Sequence, residues 1–114
     1  AAKERGAQAV FVTPTSAIVC SGNKAMATRG AFVDATKAAA MSSGVPVIDL
    51  HQLSINLYDS LGFCPNDADY TTGALGAFFC EDHTHFEAAG AAQIAALVGR
   101  ALEDQALPLA AYLR

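Results

Sequence analysis

Two short apolar runs, Ala7–Thr13 (Ala-Gln-Ala-Val-Phe-Val-Thr) and Val45–Leu50 (Val-Pro-Val-Ile-Asp-Leu), bracket a stretch of helical periodicity. This arrangement constrains the fold more than any other feature of the chain. Apolar runs of this length without polar alternation are the mark of buried parallel strands. Pro14 ends the first run because it cannot donate to a ladder, and Pro46 is tolerable near the start of the second. A loop from Pro14 to about Met26 separates the first strand from a helical pattern over about Ala27–Ser43, closed by Gly44. Phe32, Ala35 and Ala39 share one face of that helix, and Ala31, Ala38 and Met41 another. The result is a strand–helix–strand unit with parallel strands and a right-handed crossover.

Two parallel strands alone leave both outer edges exposed and apolar, whereas such strands normally sit inside a larger sheet covered on both faces. The chain also opens on Ala1–Arg5, which reads as the last turn or two of a helix closed by Gly6, with no N-cap before it. The expectation is therefore the C-terminal part, residues 1–114, of a single larger doubly wound α/β domain. Its other strands would come from residues absent here or from a second chain. Beyond the second strand, Leu53, Leu57 and Leu61 recur every four residues and Gly62 ends that helix. Phe63 to Glu81 is a long irregular segment, and loops of this length are usually functional or disordered. A last helix carries Ile94, Leu97, Val98 and Ala101 on one face, with Thr84 and Glu87 spaced as a capping box at its start. The tail Leu107–Arg114 reads only as a packed or frayed end.

The chemistry is concentrated in Cys80-Glu81-Asp82-His83-Thr84-His85, which packs two carboxylates, two imidazoles, a hydroxyl and a thiol together at a loop-to-helix junction. An Asp and a His three residues apart there can turn toward one point. The carboxylate then orients and charge-stabilises an imidazole that acts as general base. Asp82 and His85 are the candidate catalytic pair. A competing reading is a metal site built from His83 and His85, with Cys80, Glu81, Asp82 and His51 as further ligands suited to zinc. A third makes Cys80 a nucleophile near His85, although no thiol-enzyme signature surrounds it. Cys20, Cys64 and Cys80 have no close metal-type spacing; either Cys64 and Cys80 staple the loop between them, or all three are thiols. Of the serines (Ser16, Ser21, Ser42, Ser43, Ser54 and Ser60), none lies in a Gly-x-Ser-x-Gly elbow or a Gly-Asp-Ser turn. The formal net charge of −4 and scattered Lys and Arg argue against nucleic acid or an anionic membrane as partner. No apolar run approaches the roughly 20 residues of a membrane span.

Taken together, Asp82-His83-Thr84-His85-Phe86 and Ala89-Gly90-Ala91 resemble the C-terminal Asp-x-x-His block of SGNH (GDSL-type) hydrolases, above all the rhamnogalacturonan acetylesterase branch. The same frame is matched by Ala2-Lys3-x-x-Gly6-Ala7 leading into Val10-Phe11-Val12-Thr13-Pro14, by Val45-Pro46-x-Ile48-Asp49-Leu50, and by Leu57-Tyr58-x-x-Leu61-Gly62. The resemblance implies a flavodoxin-like three-layer α/β/α domain. It also implies a serine esterase removing acetyl groups from a plant cell-wall polysaccharide such as rhamnogalacturonan. Carried over residue by residue, Asp82 is the triad acid and His85 the general base. The Gly-Asp-Ser block with the nucleophile, and the Gly and Asn blocks completing the oxyanion hole, belong to the family's N-terminal portion and have no counterpart here. No metal or other cofactor is implied. The implied partners are an acetylated carbohydrate or other small ester, with the missing N-terminal half or a second chain, in an extracellular or periplasmic setting. A different class of function stays open beside it: a non-catalytic α/β fragment or assembly module that pairs through its open sheet edge.

Overall fold

The computed structural model describes Ala1–Leu113; Arg114, the last residue of the expected tail, lies outside the described residues. The chain is mixed α/β. A two-residue strand β1 (Phe11–Val12) pairs in parallel with β4 (Val47–Ile48), and a small antiparallel hairpin is formed by β2 (Cys20–Ser21) and β3 (Lys24–Ala25). The helices are α1 (Gly30–Ser43), α2 (Leu50–Ser60), α3 (Gly73–Phe78) and α4 (Ala88–Asp104), with single 3-10 turns at Lys3–Arg5 and Pro108–Tyr112.

The parallel pair confirms the strand–helix–strand reading but is shorter than the apolar runs. Phe11 N donates to Pro46 O at 2.8 Å and Thr13 N to Ile48 O at 3.0 Å. The second strand stops at Ile48 because Asp49 turns the backbone: its Oδ1 accepts from Gln52 N at 3.2 Å, which makes Asp49 the N-cap of α2. Leu50, expected at the strand's end, therefore opens a helix. Asp49 also accepts from Thr13 Oγ1 at 3.2 Å and pairs with Lys37 Nζ at 2.6 Å, tying β1, α1 and α2 together. Burial raises the Asp49 pKa, but the bonds from Lys37, Gln52 and Thr13 outweigh it and leave the carboxyl below its ordinary value.

Other expectations are corrected. The opening segment is a single 3-10 turn, although Gly6 does close it in the left-handed region at φ 75°. The loop after Pro14 contains the β2–β3 hairpin, and the helix that follows starts at Gly30 rather than Ala27. Thr28 is held back by Ala17 N, which donates to its Oγ1 at 3.0 Å, so the chain before Gly30 stays with the loop. In α1 it is Val33 and Ala40 that are buried, while Phe32 is 71% and Met41 85% exposed. In α2 the buried face is His51, Ser54, Ile55 and Tyr58, and the leucine stripe only flanks it. Tyr58 selects that face: its hydroxyl donates to Ser16 O at 2.9 Å inside the core.

The long segment after Phe63 is not irregular throughout, since α3 forms within it. Phe63, Phe78 and Phe79 make an aromatic cluster with Tyr58 and Phe86, with ring centroids 4.9–6.1 Å apart. Neither cysteine reading holds: in place of a Cys64–Cys80 staple or three thiols there is a Cys20–Cys64 disulfide, and Cys80 is free and exposed. The reason is topological. The hairpin folds Cys20 back to within 5.6 Å (Cα–Cα) of Cys64, while Cys80 sits on the outside of the next turn. No helix among the described residues is long and apolar enough to cross a membrane.

Candidate active site

The turn between α3 and α4 is a closed loop built on backbone bonds. Phe79 and Phe86 form an isolated antiparallel bridge, with Cys80 N donating to His85 O at 2.9 Å and Glu87 N to Phe78 O at 2.9 Å. The phenyl rings of this bridge face the core, Phe79 fully buried, so residues 80–85 bulge outward from an apolar anchor. Ile18 N donates to His83 O at 2.9 Å and pins the bulge to the loop after β1. Glu81 takes a left-handed conformation, φ 58°, to turn the corner.

Inside that bulge Asp82 is the organising residue. Its Oδ1 accepts from Thr84 N and from His85 N, both at 2.7 Å, and its Oδ2 lies 2.6 Å from His85 Nδ1. The His85 bond, then the two backbone N–H groups, hold the Asp82 carboxyl well below the usual carboxylate range. An ionised carboxylate at Nδ1 requires the proton on that nitrogen. Nε2 is then left with a lone pair, on a side chain 77% exposed. The arrangement can accept a proton at Nε2 and stabilise the imidazolium that results.

Gly90 holds this turn against α4. A Cβ there would sit 2.2 Å from Phe78 O and 2.9 Å from the Phe78 ring, so only glycine allows the helix to pass so close. The capping box is corrected: α4 starts at Ala88 with Glu87 as N-cap and no side-chain cap bond, because Thr84 N is already committed to Asp82. What reads as a cap in the sequence is an Asx-type turn that serves the imidazole.

The remaining candidates do not join the Asp82–His85 pair. Cys80 is exposed, but a bond from its thiol to Glu87 and the Glu87 charge push its pKa up, which disfavours the nucleophilic thiolate. His51 is buried, with Nδ1 3.2 Å from Pro14 O, and the His83 ring stands 6.2 Å from that of Tyr70. The metal ligand set is thus dispersed: among the described residues no group of three or more His, Cys, Asp or Glu side chains could hold a metal ion. Ser16 and Ser54 are buried. Ser16 Oγ bonds to backbone carbonyls and Thr28, while Ser54 Oγ donates to His51 O. Ser42 and Ser60 bond to carbonyls three residues back. No serine hydroxyl among the described residues hydrogen-bonds the His85 ring.

A mixed α/β chain that presents a carboxylate-oriented imidazole at a loop-to-helix junction can take up and return a proton there. Comparison with known proteins gives the chain a relative. The chain is 36% identical, over an alignment of 124 residues, to the rhamnogalacturonan acetylesterase RhgT of Bacillus subtilis (strain 168). The alignment takes in 98% of this chain and 51% of that protein, so the chain spans about half the length of the relative it matches. The resemblance to rhamnogalacturonan acetylesterases holds on that match, which is consistent with the C-terminal portion of such an enzyme. No family model matches the chain, and no solved structure matches it.

Proposed function

We propose that residues 1–114 are the C-terminal portion of a single SGNH-type hydrolase domain, a three-layer α/β/α unit when whole. In this reading the portion supplies the Asp and His of a serine esterase. The substrate would be an acetylated carbohydrate, with rhamnogalacturonan as the particular polysaccharide because that is what the relative's name specifies. The observation that carries the reading is the Asp82–His85 pair, with both Asp82 oxygens engaged and Nε2 left available.

In the mechanism, Nε2 of His85 takes the proton of a serine hydroxyl from the other half as Oγ attacks the acetyl carbonyl. Asp82 keeps the imidazole in the Nδ1-protonated tautomer and stabilises its charge without taking the proton. His85 then returns the proton to the departing sugar oxygen, leaving an acetyl-serine. Water, deprotonated by Nε2, cleaves that ester; acetate leaves and the proton returns to the serine. The Cys20–Cys64 disulfide supports the extracellular or periplasmic setting, because such bonds persist in oxidising compartments.

Fluorophosphonate labelling of the preparation, read by intact mass, tests this. A labelled species longer than this chain, or a labelled second polypeptide, with the label lost in His85→Ala, is the expected result. A serine-bearing protein that labels equally well in His85→Ala would overturn the assignment.

A further inference from the structure

The bulge that carries Asp82 and His85 holds a second exposed imidazole, that of His83. The His83 carbonyl is taken by Ile18 N, which fixes the backbone, while no hydrogen bond engages the ring among the described residues. Two residues of chain span at most about 7 Å, so His83 starts beside His85. That is where an ester-bearing sugar must lie if its oxygen is to receive a proton from Nε2.

Across from His83 stands the ring of Tyr70, with centroids 6.2 Å apart and planes tilted by 39°. Tyr70 is half-buried and packs on the core cluster. Its loop is held by its own side chains. Ala68 N donates to Asn66 Oδ1 at 2.9 Å. Asp69 accepts from Thr71 N at 2.9 Å, from Thr71 Oγ1 at 2.7 Å and from Thr72 Oγ1 at 2.8 Å. A ring fixed in advance loses little freedom when a ligand arrives.

A pair of rings with polar tips matches the chemistry of a sugar. The C–H groups on one face of a pyranose pack on an aromatic ring, and the hydroxyls at its rim bond to phenol and imidazole. Charge narrows the choice. The loop and bulge carry Asp67, Asp69, Glu81, Asp82 and Glu87, and no Lys or Arg lies between Lys37 and Arg100. The bonds to Asp69 and Asp82 hold both carboxyls below their ordinary values, so they stay ionised near neutral pH. Such surroundings repel an anionic sugar.

We propose that Tyr70 and His83 form a platform that binds a neutral sugar ring of the substrate beside His85. The inference rests on the esterase reading. It adds two substrate-binding residues and selects a neutral ring over a uronate at this position.

Two readouts on the longest protein that contains this chain test it. The first is NMR of the His83 and Tyr70 ring protons at pH 8, identified with His83→Ala and Tyr70→Phe, during addition of methyl rhamnoside or galacturonate. Methyl rhamnoside should shift both rings, and galacturonate should bind more weakly by roughly tenfold. The second compares hydrolysis of acetylated rhamnogalacturonan with that of 4-nitrophenyl acetate, which has no sugar. His83→Ala and Tyr70→Ala should raise KM for the polysaccharide, with a loss in kcat/KM roughly tenfold greater than on the small ester. Tyr70→Phe and His83→Phe keep a ring and should recover most of it. Should Tyr70→Ala fail to fold, the exposed His83→Ala still decides.

Equal losses on the two esters, or an unchanged KM with rings that do not move, would overturn the platform and leave the esterase reading intact. Galacturonate binding as tightly as methyl rhamnoside would overturn the choice of a neutral sugar. A protein that hydrolyses neither ester, yet whose two rings shift with methyl rhamnoside, would keep the platform and sink the esterase reading.

Discussion

The turn that carries Asp82 and His85 and the face formed by β1 and α1 are both rich in apolar side chains, yet they end in opposite states. At the turn, Phe79 is fully buried, Phe78 nearly so, and their rings pack on Tyr58, Phe63 and Phe86. Its outward loop is tied by backbone bonds from Cys80, Glu87 and Ile18, and both Asp82 oxygens are used. At the β1–α1 face, Phe32 and Val12 stand in the open beside a groove. The difference teaches that the Asp82–His85 geometry is closed by bonds within this chain, whereas the β1–α1 face leaves apolar side chains uncovered among the described residues.

The largest effects should come from the turn's chemistry, with little cost in folding. In the serine-bearing protein, Asp82→Asn or His85→Ala should lower kcat by roughly 10³- to 10⁴-fold or more while the melting curve moves little. Steady-state kinetics beside thermal melts would check this, and near-normal turnover in either variant would remove the assignment. Next comes the anchor itself. Phe79→Ala should destabilise the chain by about 3–5 kcal/mol, read by denaturant unfolding. Reducing the Cys20–Cys64 bridge, or replacing Cys20 by Ser, should cost about 2–4 kcal/mol by the same measurement, because the closed loop is long.

A smaller effect is the alkaline limit. Burial pushes the Tyr58 hydroxyl up to about 12. The unfolded chain binds fewer protons than the native one once pH exceeds the ordinary tyrosine value of about 10. Stability is therefore fully present below that value and is lost as pH rises toward about 12. Melts of the wild type and Tyr58→Phe across this range should converge, since the variant lacks the titrating group. The smallest change sharpens the contrast most: Phe32→Ala should alter the stability of this chain by no more than about 0.5 kcal/mol. A loss comparable to that of Phe79→Ala would show that the open face is packed after all.

On its own, the sequence determined what local physics controls. The parallel strand–helix–strand order, the closures at Gly6 and Gly44, the last helix's buried face and the Asp82–His85 spacing were all legible, because apolar runs, glycine conformation and residue spacing act over a few positions. The tertiary structure decided what depends on partners distant in the chain. Cys20 rather than Cys80 reaches Cys64 because a hairpin folds it back. Tyr58 rather than the leucine stripe sets the inner face of α2 because Ser16 O waits in the core. The apparent capping box at Thr84 and Glu87 became an Asx turn because Asp82 offers nearer acceptors to the Thr84 and His85 amides than the helix does. Gly90 carries its importance in a contact, not in its own neighbourhood, since only the approach of Phe78 makes a side chain there impossible.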